Sequence, residues 1–244
     1  MQHLEQKRII DGAKTAYLFI HGIAGTPNHF HMLLKRLPQD VSFHNLLLDG
    51  HGKSPRDFGK SSMHKWETQA ACAVEELCRT HDEIYIVAHS MGTLFAMEQA
   101  IRQPKIKKLF LLAVPITVGV KLRMAATAAK LYFGRVRQDD LFTLAARDCC
   151  GIQLSKNPLP YLRWIPRFLE LFRKIHDTRQ ILGQLQTPCI AIQSALDELV
   201  SPKSISYLKK HAPIQVEVLP DSTHFYYAPE DKKRLLQAFD NWMK

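Results

Sequence analysis

The chain has 244 residues, 46% hydrophobic and 23% charged, with 33 Lys and Arg against 23 Asp and Glu, a formal net charge of +10. That hydrophobic fraction excludes an intrinsically disordered chain, and the length suits one large domain, or a domain with an insertion, around a sizeable core. Eleven glycines and thirteen prolines exclude a collagen-like or low-complexity chain.

Short apolar runs alternate with longer segments of helical spacing. The run AYLFI (16–20) predicts a buried strand, followed by a Gly-containing loop and a helix over 27–37. FHNLLL (43–48) predicts the next strand, ending in the turn-rich loop Asp49-Gly50-His51-Gly52. Trp66, Ala70, Ala73, Val74 and Leu77 recur at three-to-four spacing and predict an amphipathic helix over 63–81. A strand over 83–88, a helix over 91–102 and a strand over 108–114 come next. Two further strands, 189–193 and 215–219, enclose a helix, and a helix over 230–243 closes the chain. This alternation predicts an α/β fold with a mostly parallel sheet covered by helices on both faces.

One stretch, 116–177, shows helical spacing and no strand. It is expected to be a helical insertion over the sheet's edge, since roughly sixty residues alone would bury little surface. The expected organisation is a core of 1–115 and 178–244 interrupted by the insertion 116–177.

Five cysteines, an odd count with no C-x-x-C spacing, argue against a disulfide framework or a zinc ribbon. The N-terminal segment MQHLEQKRIIDGAK has no apolar run of a secretory signal. The longest apolar run, 109–120, is interrupted by Pro115 and Thr117 and is short of the ~20 residues that span a bilayer. The expectation is a soluble cytoplasmic protein.

Between the strand EIYIVA and the helix MGTLFAMEQAIR lies Ala88-His89-Ser90-Met91-Gly92. A serine on a sharp strand-to-helix turn, with small residues two before and two after it, has its hydroxyl held above the strand ends. Taken alone, the same segment could be a serine N-cap of the following helix. A serine hydroxyl needs a base and a group to orient that base. The loop after CIAIQ supplies Asp197, favoured over its neighbour Glu198 for its position, and the loop after QVEVL supplies His224, with Asp221 nearby. Three groups from three strand ends, in the order Ser, Asp, His, form a candidate catalytic set.

An oxyanion hole needs two backbone N–H groups. Met91, following the serine, supplies one candidate, and Ile23 in the loop His21-Gly22-Ile23-Ala24-Gly25-Thr26-Pro27 supplies the other. Neither HGIAGTP nor DGHGKS is a phosphate-binding P-loop; the latter has Leu47 where the motif needs glycine. His29 and His31 point to different faces of their predicted helix and do not make a metal pair, and His51 is expected to stabilise its loop.

As a set, HGIAGTP, DGHGKSP, AHSMG, TPCIAIQSALDELVSP and DSTHF resemble the corresponding segments of the α/β-hydrolase family over roughly 16–242. The size, the H-G-x-x-G-T loop and the small helical insertion resemble bacterial carboxylesterases and monoacylglycerol lipases. The departures are Ala88 in the elbow, Ser194 before the acid loop and Thr223 before the histidine. The resemblance implies a serine hydrolase of carboxylic esters, of acyl ester or monoacylglycerol type. Ser90 would be nucleophile, His224 base and Asp197 orienting acid, without metal or organic cofactor. It also implies that 116–177 is a cap shaping the substrate pocket. Thioesterase or other α/β-hydrolase chemistry uses the same set, and a ligand-binding protein could keep the fold without catalysis.

The insertion carries eleven Lys and Arg against five acids, +6 of the total +10. No nucleic-acid motif or basic-aromatic stripe accompanies this charge, so nucleic acid is not an expected partner. An anionic substrate or weak contact with an anionic membrane surface is the alternative to a merely solvated face.

Overall fold

The computed structural model describes residues 3–244. Seven strands, β1 (Gln6–Arg8), β2 (Thr15–Ile20), β3 (Ser42–Leu46), β4 (Glu83–His89), β5 (Ile106–Leu112), β6 (Cys189–Ser194) and β7 (Ile214–Leu219), form one sheet. Their order is β1-β3-β2-β4-β5-β6-β7, so β4 lies at the centre. Every neighbouring pair is parallel except β1 and β3. The sequence shows no strand at 6–8 because QKR is polar and too short for a pattern; its charged residues suit an edge strand.

Alternating side chains of the central strands feed two apolar layers. Leu18, Ile20, Ile84, Ile86, Leu109 and Leu111 face one layer, built with α3 (Met63–Thr80) and α4 (Met91–Arg102). Tyr17, Phe19, Val87, Phe110 and Ile192 face the other, closed by Leu235, Phe239 and Trp242 of the C-terminal helix Pro229–Met243. Burial on both faces is why these strands read as continuous apolar runs.

Several boundaries differ from the sequence expectation. The helix expected over 27–37 is a 3-10 turn, Pro27–Phe30, followed by α1 (His31–Leu34). The three-residue period of the turn puts Pro27, Phe30 and Leu33 on one buried side. An unanticipated helix, α2 (Pro55–Lys60), starts at Ser54, whose side chain accepts the Asp57 N–H, with proline in its first turn. Pairing of β3 stops at Leu46, short of the expected Leu48, and β5 begins at Ile106 and ends at Leu112.

Between β5 and β6 lie α5 (Leu122–Tyr132), α6 (Leu141–Cys149), a 3-10 turn (Leu159–Arg163) and α7 (Trp164–Ile181), which runs four residues past the expected end. One isolated bridge, Val118 to Val200, is the segment's sheet-like contact among the described residues. Leu171 and Ile175 of α7 enter the core shared with α3 and α4. Lys174 is buried beside them and pairs with Glu67 at 2.7 Å and with Glu98. The segment also reaches the loops at the carboxyl ends of β2 and β3: Gly151 donates to Ala24 O at 2.8 Å and accepts from Gly52 N–H at 2.6 Å. No helix among the described residues is long and apolar enough to cross a membrane.

Phe239 of the last helix is fully buried against Phe110, ring centroids 5.2 Å apart. Phe239→Ala is expected to lower the unfolding free energy by about 3–5 kcal/mol in urea denaturation, the usual cost of an aromatic core truncation.

Candidate active site

Ser90 stands at the end of the central strand, between β4 and α4, with backbone angles of φ +51° and ψ −123°. A non-glycine residue with positive φ costs roughly 1–3 kcal/mol and persists only where its surroundings hold it. The Ser90 N–H donates to Leu112 O on β5 at 2.8 Å, and the Thr93 hydroxyl donates to Ser90 O at 2.6 Å. A Cβ at Gly92 would lie 2.2 Å from Ile20 O, so only glycine lets α4 pass this close to the end of β2. Ala88 is fully buried, and its methyl fits where the elbow pattern has glycine. The Ser90 side chain makes no capping bond to α4, so it is not an ordinary helix N-cap.

The loops after β6 and β7 bring Asp197 and His224 together. His224 Nδ1–H donates to Asp197 Oδ2 at 2.8 Å, and both side chains are buried. The other Asp197 oxygen accepts N–H bonds from Leu199 and Val200, each 2.8 Å. Burial opposes ionisation of Asp197, but the His224 charge and these three hydrogen bonds bring its carboxyl below the usual range. Burial likewise works against a charged His224; Asp197 and, more weakly, Glu198 overcome it and raise the imidazole above the ordinary 6.5. Glu198 is buried too, but its carboxylate accepts the backbone N–H of His224 at 3.1 Å. The two neighbouring acids therefore hold different parts of the same histidine. Asp221 is exposed and makes no contact with the imidazole among the described residues.

Ile23 lines one cavity with Ser90, Met91 follows Ser90 in the chain, and neither backbone N–H has a hydrogen-bond partner among the described residues. The Ile23 N–H is aimed by its own peptide unit. Gly22 O accepts from His21 Nδ1–H at 2.9 Å and from Gly25 N–H at 3.0 Å. In a trans peptide the C=O and the following N–H point in opposite directions, so fixing Gly22 O fixes the Ile23 donor. His21 Nε2 accepts the Leu48 N–H at 3.1 Å, which sets the tautomer, and burial pushes its pKa down to about 4. Ala24 follows with φ +52°, so this loop, like the turn at Ser90, holds a strained non-glycine residue.

Ser90, His224, Gly22, Ile23, Leu199 and Phe225 line a constricted cavity of about 30 Å³. No hydrogen bond joins Ser90 Oγ to His224 among the described residues. Ile23, Cys149, Leu199 and Phe225 also line a larger cavity of about 560 Å³ under α5, α6 and α7. Its other walls include Met124, Leu131, Ala146, Tyr161, Trp164 and Phe168, with no Asp, Glu, Lys or Arg. The polar atoms on these walls are turned elsewhere. Tyr132 OH donates to Lys156 O, Tyr161 OH binds Ser155 N–H and O, and Trp164 Nε1–H donates to Pro55 O. The cavity therefore presents carbon.

Sequence reasoning missed the groups that brace the histidine loop. Asp231, buried in the last helix, accepts the Asp221 N–H at 2.8 Å and the Ser222 hydroxyl at 2.7 Å. As an acid in a helix's first turn it gave no signal of a tertiary role. His89 Nε2–H donates to His224 O at 3.2 Å, and the His89 ring lies against His29 with centroids 3.9 Å apart. Burial depresses both imidazoles strongly, His29 to about 3. His31 is exposed, and His51 is buried with Nδ1 directed at Leu48 O and Asp49 O.

A central-strand elbow with acid and histidine after the last two strands, β6 and β7, is the arrangement of an α/β-hydrolase. The family model described as serine aminopeptidase, S33, matches residues 11–227, and the chain belongs to that family. It is similar to the sn-1-specific diacylglycerol lipase ABHD11 of Danio rerio, 32% identical over 152 residues, 59% of this chain and 46% of that protein. The chain thus spans about half the length of that relative. Its fold is similar to that of metagenome-derived lipolytic enzymes described as LipS and LipT, at 17% identity and a TM-score of 0.71, covering 98% of this chain and 97% of that one. A monoacylglycerol lipase of Paleococcus ferrophilus is similar at 16% identity and a TM-score of 0.67, covering 100% and 98%.

The electrostatics of the His224 pair can be read directly. Proton NMR titration of the His224 ring should give a midpoint above 6.5 in the native protein. In Asp197→Asn the carboxylate charge is gone while burial still disfavours the imidazolium, so the midpoint should fall. An unchanged midpoint would show that Asp197 is not the charge the ring feels.

Proposed function

We propose that the protein hydrolyses carboxylic esters through a serine acyl-enzyme. Ser90 Oγ attacks the ester carbonyl while His224 Nε2 takes its proton, and the carbonyl electrons move to oxygen. The N–H groups of Ile23 and Met91 hold that oxyanion, each worth about 3 kcal/mol where such a donor has been removed from another enzyme. Collapse breaks the bond to the alcohol, which leaves with the proton from His224. Water then attacks the acyl-enzyme with His224 again as base, releasing the acid and restoring Ser90. Asp197 holds the Nδ1–H tautomer and stabilises the imidazolium. Hydrogen bonds between nucleophile and base are often long before substrate binds and tighten in the Michaelis complex.

The observation that carries this reading is the strained Ser90, lining one cavity with an imidazole already bonded to a buried carboxylate. The carbon-walled cavity beside it favours an acyl chain as the substrate's long arm, and the helical segment 116–177 serves as the cap that encloses it. An aminopeptidase would need a negative group for the substrate's terminal ammonium. Neither cavity has an Asp or Glu among its described lining residues, which favours an ester over a peptide. The names of the diacylglycerol and monoacylglycerol lipase relatives point the same way.

On p-nitrophenyl esters of increasing acyl length, kcat/KM should rise by up to roughly fourfold per methylene until the cavity is filled. Ser90→Ala should abolish turnover of every ester in the series while leaving thermal unfolding nearly unchanged. Turnover persisting in Ser90→Ala, or a preference for acetyl over longer chains, would overturn this reading.

A further inference from the structure

The outer surface of the cap segment differs from the rest of the molecule. Of the sixteen large apolar side chains exposed among the described residues, twelve lie between Val120 and Phe172. On α7, Ile165, Leu169 and Phe172 are 56%, 62% and 49% exposed, and Leu162 in the preceding turn is 63% exposed. Their i, i+4, i+7 spacing stacks them on one side of the helix. The other side sends Leu171, Lys174 and Ile175 into the protein, so packing of α7 on the core does not account for its apolar outer face. A contiguous exposed patch of this kind marks a docking surface, whereas apolar residues scattered singly need no explanation.

Charge identifies what docks. The 116–177 segment carries +6 of the chain's +10. Arg163 and Arg173, near the two ends of this face, are exposed and form no ion pair among the described residues; the same holds for Lys121 and Lys156. A second copy of the chain would bring like charge against like charge. An anionic bilayer answers both features: apolar side chains enter the boundary between headgroups and acyl chains while arginines meet the lipid charges.

The face also adjoins the acyl cavity. Phe168, one residue before Leu169, lines that cavity, and two other wall residues, Val120 and Leu154, are exposed. The cavity thus opens among apolar side chains on the same segment. We propose that the outer face of α7 docks on an anionic lipid surface, from which the cavity receives its substrate. The identity of what enters the cavity rests on the ester-hydrolase reading; the docking does not.

Cosedimentation of the full chain with vesicles of phosphatidylcholine, alone or mixed with phosphatidylglycerol, tests it. Binding should be strong only on the mixed vesicles and should fall with added salt. Leu169→Ser with Phe172→Ser should weaken it at least about tenfold. Arg163→Gln and Arg173→Gln should weaken it roughly fivefold each and flatten the salt dependence. Turnover of p-nitrophenyl butyrate should be unchanged in all of these variants, which shows that they fold. Equal binding to both vesicle types, or undiminished binding by the serine variants, would overturn the proposal. So would a dimer, seen by light scattering, that the serine variants dissociate, because a second copy would then occupy the face. Ser90→Ala should bind the mixed vesicles like the native protein, so loss of the catalytic reading and loss of docking are read separately.

Discussion

The site hangs on a close approach of backbone to backbone. Helix α4 leaves the central strand so tightly that a single methyl at Gly92 would overlap the Ile20 carbonyl. That proximity holds Ser90 in its left-handed conformation, and the bond from its N–H to Leu112 O ties the turn to the neighbouring strand. The strain at one residue is small against the burial of the sheet's two faces. A rigid parallel sheet can carry it where a mobile loop could not.

Around that turn, buried polar groups do the positioning. His21 is kept neutral and directs the Gly22 carbonyl; Asp197 and Glu198 hold the ring and the backbone of His224; His89 and Asp231 brace the loop that carries it. Each of these groups has a specific partner, as buried polar groups must if they are not to destabilise the fold. The helices above contribute little to this network beyond Cys149, which contacts His29 at 3.2 Å. Their main contribution is carbon, inside the cavity and on the outer surface. The division is physical: directional bonds fix reacting groups, while an undirected apolar lining accommodates a chain of methylenes.

Much of this was legible in the sequence because the sheet is buried on both sides. AYLFI, EIYIVA, KLFLLAV and CIAIQ are apolar runs with few alternatives, and each run's end locates a loop that can carry a functional residue. The order of strands in space was not legible, nor was the polar edge strand at Gln6–Arg8, whose pairing depends on β3 and not on its own pattern. Ser54-Pro55 is a helix-start signal, but the helix it opens has only six residues, too few to show an apolar period. Position in the loop favours Asp197 over Glu198, but both sit in that loop and both become buried. The separate roles of the two, one on the ring and one on the backbone of His224, show only in the atoms they reach. Asp231 and His21 act through partners in separate segments, Ser222 and Leu48, and such pairings leave no local trace.

The central claim is that Ser90 is a nucleophile activated by His224 and Asp197. Intact-mass and peptide mass spectrometry after brief exposure to a fluorophosphonate tests it without any assumption about substrate. One adduct per chain, located on Ser90 and nearly abolished in His224→Ala, is the expected result. Labelling at another residue, no labelling, or labelling that proceeds equally fast without the imidazole would contradict it.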